Sequence, residues 1–110
     1  MWLMTTGGFV SVVQHKESPK MLHVRARVEG DLKEIREKWM PGMTEPYSFE
    51  GSDYAWRADV SREEFAAGVV KMVGDIDYFN FKKKVAEVQG WERAGVYGDV
   101  WTVLRRLQEE

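Results

Sequence analysis

The clearest pattern in this chain is an alternation of apolar and polar residues between Phe9 and Val28. Phe9–His15 reads FVSVVQH and is rich in β-branched residues. In Met21–Val28, apolar Leu22, Val24, Ala26 and Val28 stand between His23, Arg25 and Arg27. Period-two alternation predicts strands with one buried face. The link Lys16–Lys20 is short, polar and contains Pro19, so the two strands are expected to pair as an antiparallel hairpin. Upstream, Trp2–Met4 either extends the first strand or folds back through Gly7-Gly8. A later strand is predicted at Tyr54–Val60, where Tyr54, Trp56, Ala58 and Val60 alternate with Ala55, Arg57 and Asp59. That frame sends Tyr54 and Trp56 inward, and Phe9 is assigned inward with them. A short strand at Tyr47–Glu50 interrupts the loop 41–53.

Helical spacing takes over elsewhere. Asp31–Met40 carries Leu32, Ile35 and Trp39 on one face, Asp31 with Glu34 reads as a capping box, and Pro41-Gly42 stops the run. Ser61 with Glu64 forms a second capping box, and Val60 against Phe65 a hydrophobic staple. Phe65, Val69, Met72, Val73 and Ile76 then recur at helical spacing, up to Gly74-Asp75. A short helix is predicted from about Asn80, with Phe81, Val85 and Val88 inward, broken at Gly90. A last helix runs from about Ala94 to Gln108, with Tyr97, Val100, Trp101, Leu104 and Leu107 on one stripe.

The order β-β-α-(β)-β-α-α-α implies an α+β fold: an antiparallel sheet of 3–4 strands with helices packed on one face, ferredoxin-like in outline. At 110 residues the chain fits one domain, 1–110. There are no cysteines, which excludes disulfides, thiolate metal sites and Cys nucleophiles and fits a reducing cytoplasm. No run approaches the roughly 20 apolar residues of a membrane helix. Net charge is −2, so a nucleic-acid partner would have to be read from a local patch and not from the whole chain.

One such patch is His23, Arg25 and Arg27, all on the polar side of their strand. Arg57 and Asp59 share that side if Tyr54, Trp56, Ala58 and Val60 face inward, and Ser11 or Gln14 joins from the first strand. Clustered guanidiniums bind phosphate or carboxylate through paired hydrogen bonds. The competing reading is an ordinary solvated sheet face with Asp59 paired to a neighbouring arginine. A second patch is DYFNFKKK, where aromatics adjoin Lys82, Lys83 and Lys84; aromatic stacking with neighbouring cations suits single-stranded nucleic acid. Against it, Phe79 and Phe81 also serve to anchor a helix start. His15 and His23 flank the turn of the hairpin, and a histidine pair suits general acid–base work if the register brings them together. Asp75 and Asp77 lack accompanying ligands, no metal-binding or nucleotide-binding motif is present, and no cofactor or metal is expected. Trp39, Trp91 and Trp101 read as core or interface residues.

The stretches GFVSVVQH, VRARVEGDL, SDYAWRADVSREEF, IDYFNFKKKVA and VYGDVWTVLRRLQ, in that order, resemble a group of small uncharacterised proteins of high-GC actinobacteria and their phages. The similarity spans nearly the whole chain. Relatives often have Pro before Asn where this chain has Phe79, which relaxes a rigid turn. The resemblance implies no activity and no catalytic residues; a phage setting implies an accessory protein acting on host machinery in the cytoplasm.

The expectation is therefore a non-enzymatic protein-interaction domain, a homodimer, that touches no membrane. The alternatives are a nucleic-acid or nucleotide binder using the basic sheet face, and a small hydrolase or nuclease built around His23.

Overall fold

The computed structural model describes residues 1–109. The fold is α+β, with two compact units: a sheet unit, Met1–Asp77, and a helical unit that begins at Tyr78. Among the described residues, no helix is long and apolar enough to cross a membrane.

The sheet unit contains β1 (Trp2–Thr5), β2 (Gly8–Gln14), β3 (Met21–Ala26), α1 (Glu29–Lys38), β4 (Tyr47–Ser48), β5 (Trp56–Ser61) and α2 (Arg62–Gly74). All neighbouring strands are antiparallel, in the order β1-β2-β3-β5-β4. The sheet thus has five strands, not three or four. The extra one arises because Trp2–Met4 folds back on β2 through the tight turn at Thr5–Gly8 and does not extend it. Gly8 has φ +152°, and a Cβ there would lie 2.8 Å from the Asp31 side chain. Only glycine lets the chain turn so close to α1.

One face of the sheet carries Val10, Val12, Leu22, Val24, Ala26, Ala58 and Val60, packed against Leu32, Ile35 and Trp39 of the α1 region and Phe65 of α2. Trp56, Val69 and Met72 complete this core from its edge. Burial of this one-sided apolar surface is the main stabilising contribution. Phe9 faces the other way: it is opposite Met4, and its ring meets that of Trp2 edge-on at 5.5 Å. Its parity is that of Ser11 and Val13, not of Val10 and Val12. Tyr54 also departs from its predicted frame. β5 begins only at Trp56, and Tyr54 is buried on the opposite side of the sheet, against Arg25 and Arg27.

The capping expectations divide. Ser61 caps α2, accepting the Glu64 amide at 3.1 Å. Glu64 does not reciprocate; its carboxylate accepts the Gly42 amide at 2.8 Å. Asp31 does not occupy the N-cap position of α1. α1 starts two residues earlier, at Glu29, and Val28 at its N-cap position makes no side-chain capping bond. Asp31 is buried inside the first turn, where its carboxylate accepts the Phe9 amide at 3.0 Å. A tertiary partner at the start of β2 thus claims the side chain that local sequence assigns to its own helix. Val73 near the end of α2 and Ile76 just beyond it are exposed although their spacing matches the core residues.

The helical unit holds α3 (Phe81–Gln89) and α4 (Trp91–Leu104), followed by a 3-10 turn, Arg105–Gln108. Asn80 caps α3 by accepting the Lys83 amide at 2.9 Å. Gly90, at φ +96°, joins the two helices, so α4 begins at Trp91 and not at Ala94. Val85, Ala86, Ala94 and Tyr97 are buried, and Phe81 stacks on Tyr97 at 5.9 Å. The predicted α4 stripe is covered only in its first half. Trp101, Leu104 and Leu107 are exposed, as is Val88 on α3. α3 has 9 residues and α4 has 14, and the Phe81–Tyr97 stack marks where α3 starts. Beyond Gly98, α4 overhangs its partner helix.

Candidate functional site

The outer face of the sheet is polar across its central strands. β2 and β3 place Ser11 opposite Arg25 and Val13 opposite His23; β3 and β5 place His23 opposite Asp59 and Arg25 opposite Arg57. Cross-strand partners on one face lie within side-chain reach. The alternation read from the sequence therefore brings His23, Arg25, Arg57 and Asp59 together. Arg27 lies one residue beyond the end of β3 and is exposed, but it leans on the same aromatic ring as Arg25.

Among the described residues, no carboxylate forms an ion pair with Arg25, Arg27 or Arg57. Aromatic faces and neutral oxygens take that place. Arg25 and Arg27 lie over the Tyr54 ring at 4.8 and 4.7 Å, and Arg57 over Phe49 at 4.2 Å. Arg25 donates to Ser11 Oγ at 2.7 Å, Arg57 to Ser52 Oγ at 3.0 Å, and Arg27 to the Asp53 carbonyl at 2.6 Å. The segment between β4 and β5 supplies Phe49, Ser52, Asp53 and Tyr54, so it folds across this face and lays its two rings against the guanidinium groups. Arg25 Nε and Arg57 Nε are buried and have no hydrogen-bond partner among the described residues. A delocalised, weakly hydrated cation tolerates such stacking better than an ammonium group does.

Beside the arginines lies a second constellation. His23 Nδ1–H donates to Asp59 Oδ1 at 2.6 Å, and both side chains are largely buried. Tyr47, from the edge strand, donates its hydroxyl to the Asp59 carboxylate at 3.3 Å. Burial first, then the Asp59 charge, pushes the Tyr47 phenol above its ordinary value, with Arg57 acting in the opposite direction. The His15 ring stacks on His23 with centroids 4.2 Å apart, and His15 Nδ1 accepts the Glu17 amide at 3.1 Å. His15, His23 and Asp59 present ligand-capable atoms within 4.8 Å of one another.

His15 and Tyr47 were not assigned to this face from sequence. For His15 a signal existed: Ser11, Val13 and His15 share the parity opposite to core Val10 and Val12. The register placing His15 next to His23 comes from the turn itself, where the His15 amide donates to the Met21 carbonyl at 3.0 Å. For Phe49, Ser52 and Tyr54 the sequence carries no such signal, because they lie in an irregular segment.

Lys82, Lys83 and Lys84 belong to α3, in the other unit. Phe81 is drawn into that unit against Tyr97, whereas Phe79 is fully exposed. Lys82 and Lys83 line an open groove with Asn80 and Trp91. No family model, curated protein or solved structure matches this chain.

Proposed function

We propose that this chain is a protein-interaction domain that self-associates through α4. The observation that carries this reading is a seam of exposed apolar residues. Val96, Val100, Val103 and Leu107 follow one another in steps of four, three and four. That is the spacing of a two-helix coiled seam. Val96, Val103 and Leu107 are exposed and Val100 is half-buried, the seam running on from α4 into the 3-10 turn. It lies to one side of the stripe that meets α3, so packing of α3 does not satisfy it. Exposed contiguous apolar surface of this kind marks an interaction site.

The flanking charges point to a second copy as the occupant. Asp99 and Arg106, both exposed, are seven residues apart and border the seam on the same side. Antiparallel helices bring the same flank of each copy together. Pairing Val96 with the partner's Leu107 places Asp99 within a turn of the partner's Arg106, twice over by symmetry. A two-fold interface repeats every contact in this way. Parallel pairing offers no such match. The small buried set of the helical unit gives it a further reason to associate, since a two-helix unit of this size is marginal by itself.

Light scattering across a concentration series tests the reading. The wild-type chain is expected to dimerise, Val103→Glu to be monomeric and folded, and Asp99→Arg to weaken the dimer. Combining Asp99→Arg with Arg106→Asp should restore it. A monomer at every concentration, or a dimer indifferent to all three changes, overturns the assignment.

One observation favours a second reading, anion or nucleotide binding at the basic sheet face. Arg25, Arg27 and Arg57 carry three positive charges, and among the described residues no carboxylate is ion-paired with them. A steep fall of nucleic-acid affinity with salt, lost in Arg27→Ala, is the expected sign of phosphate contacts there.

A further inference from the structure

The geometry points to a metal site at His15, His23 and Asp59, for a late first-row divalent ion of the zinc class. Two imidazoles and one carboxylate are a donor set suited to such ions, with a fourth position left for water or an anion. The three side chains come from the two ends of the β2–β3 turn and from β5. The register His23↔Asp59 is part of the sheet ladder, so two of the three ligands are held by backbone hydrogen bonding and not by a loop. All three are partly shielded from solvent, and their ligand-capable atoms lie within 4.8 Å of one another.

The two closest ligand atoms, His23 Nδ1 and Asp59 Oδ1, are joined by a hydrogen bond of 2.6 Å in which the carboxylate accepts the ring proton. An ion bound to both takes the place of that proton, which leaves the neutral ring protonated at Nε2. With metal–ligand bonds of about 2.0–2.2 Å and tetrahedral angles, the two atoms must separate to roughly 3.3 Å. Side-chain rotation supplies this without moving a strand. Tyr47 stays on the carboxylate as an outer hydrogen-bond donor, the kind of support that orients a metal ligand.

His15 gives the site a distinctive signature. Its Nδ1 accepts the Glu17 amide. Coordination through Nδ1 replaces that amide. Coordination through Nε2 moves the ring proton to Nδ1, where it opposes the same N–H. Either route breaks the Glu17 hydrogen bond. Arg25 and Arg57 lie two residues along their strands from His23 and Asp59, and their charge weakens binding of a bare dication. They favour an ion whose open position carries an anion.

The experiment is a titration of the full chain with Co2+, read by visible absorption, and with Zn2+, read by calorimetry and by amide resonances. One equivalent should bind, with the intense cobalt bands of a four-coordinate site, and the Glu17 amide should shift. His15→Ala, His23→Ala and Asp59→Asn should each weaken zinc binding at least about 10-fold. Circular dichroism checks that each variant is folded, and Asp59→Asn, which keeps the side-chain shape, stands in if a histidine variant is not. Failure to saturate at millimolar zinc overturns the site. So does binding of equal strength in wild type and the folded variants, or binding that leaves the Glu17 amide unmoved.

Discussion

Arg25 and Arg57 stand directly opposite each other on β3 and β5, and among the described residues no carboxylate is paired to either. Like charges in that relation destabilise a sheet. Here Tyr54 and Phe49 lie against the two guanidiniums, and Ser11 and Ser52 accept from them. The arginines therefore hold the β4–β5 segment onto the sheet, and are not the interchangeable solvated cations that strand alternation suggests.

Arg25 and Arg27 should differ sharply when truncated. Arg25→Ala removes a stacked cation and leaves the buried Ser11 hydroxyl without this donor, a loss of about 2–3 kcal/mol. Arg27→Ala loses an exposed stack and should cost about 0.5–1 kcal/mol. Urea denaturation of the two variants checks the difference. Equal, small losses would mean that Tyr54 is held by the core without help from Arg25.

Ser61→Ala should cost about 1 kcal/mol, because the Glu64 amide loses its acceptor. Glu64→Ala acts elsewhere, freeing the exposed Gly42 amide to bond with water, so its cost should be smaller. Thermal melts of the single and double variants should show near-additive effects. Strong coupling would indicate the reciprocal capping box that the structure lacks.

Gly68→Ala sets helix propensity against packing. Alanine favours a helix interior by about 1 kcal/mol over glycine. A Cβ on Gly68 would nevertheless meet Met40 Cγ at 2.5 Å and the Trp39 carbonyl at 3.0 Å. Overpacking of about 1–3 kcal/mol should win, and the variant should melt lower than wild type. A higher melting temperature would show that Met40 moves aside without cost.

Phe65→Ala removes a buried ring from the join between α2 and the sheet and should cost roughly 3–5 kcal/mol. That is a large share of the roughly 5–15 kcal/mol a domain of this size has in all. Far-ultraviolet circular dichroism at 25 °C (as a check on residual fold) together with a denaturation curve measures it. A loss below 1 kcal/mol would place Phe65 outside the core.

Sequence alone determined what depends on period and near neighbours. Alternation in Met21–Val28 placed Leu22, Val24 and Ala26 inward and His23 and Arg25 outward, because a strand's side chains must alternate. Ser61 was legible as a cap because its partner is three residues away. Tertiary structure decided what depends on contacts distant along the chain. Asp31 left its own helix start to meet Phe9, and Glu64 left Ser61 for Gly42. Tyr54 followed its arginines and not the parity of the strand after it. The His15–His23–Asp59 cluster has the same origin: its members lie up to 44 residues apart. Only the hairpin turn and the β3–β5 register bring them together, since neither is encoded by the local period of either strand.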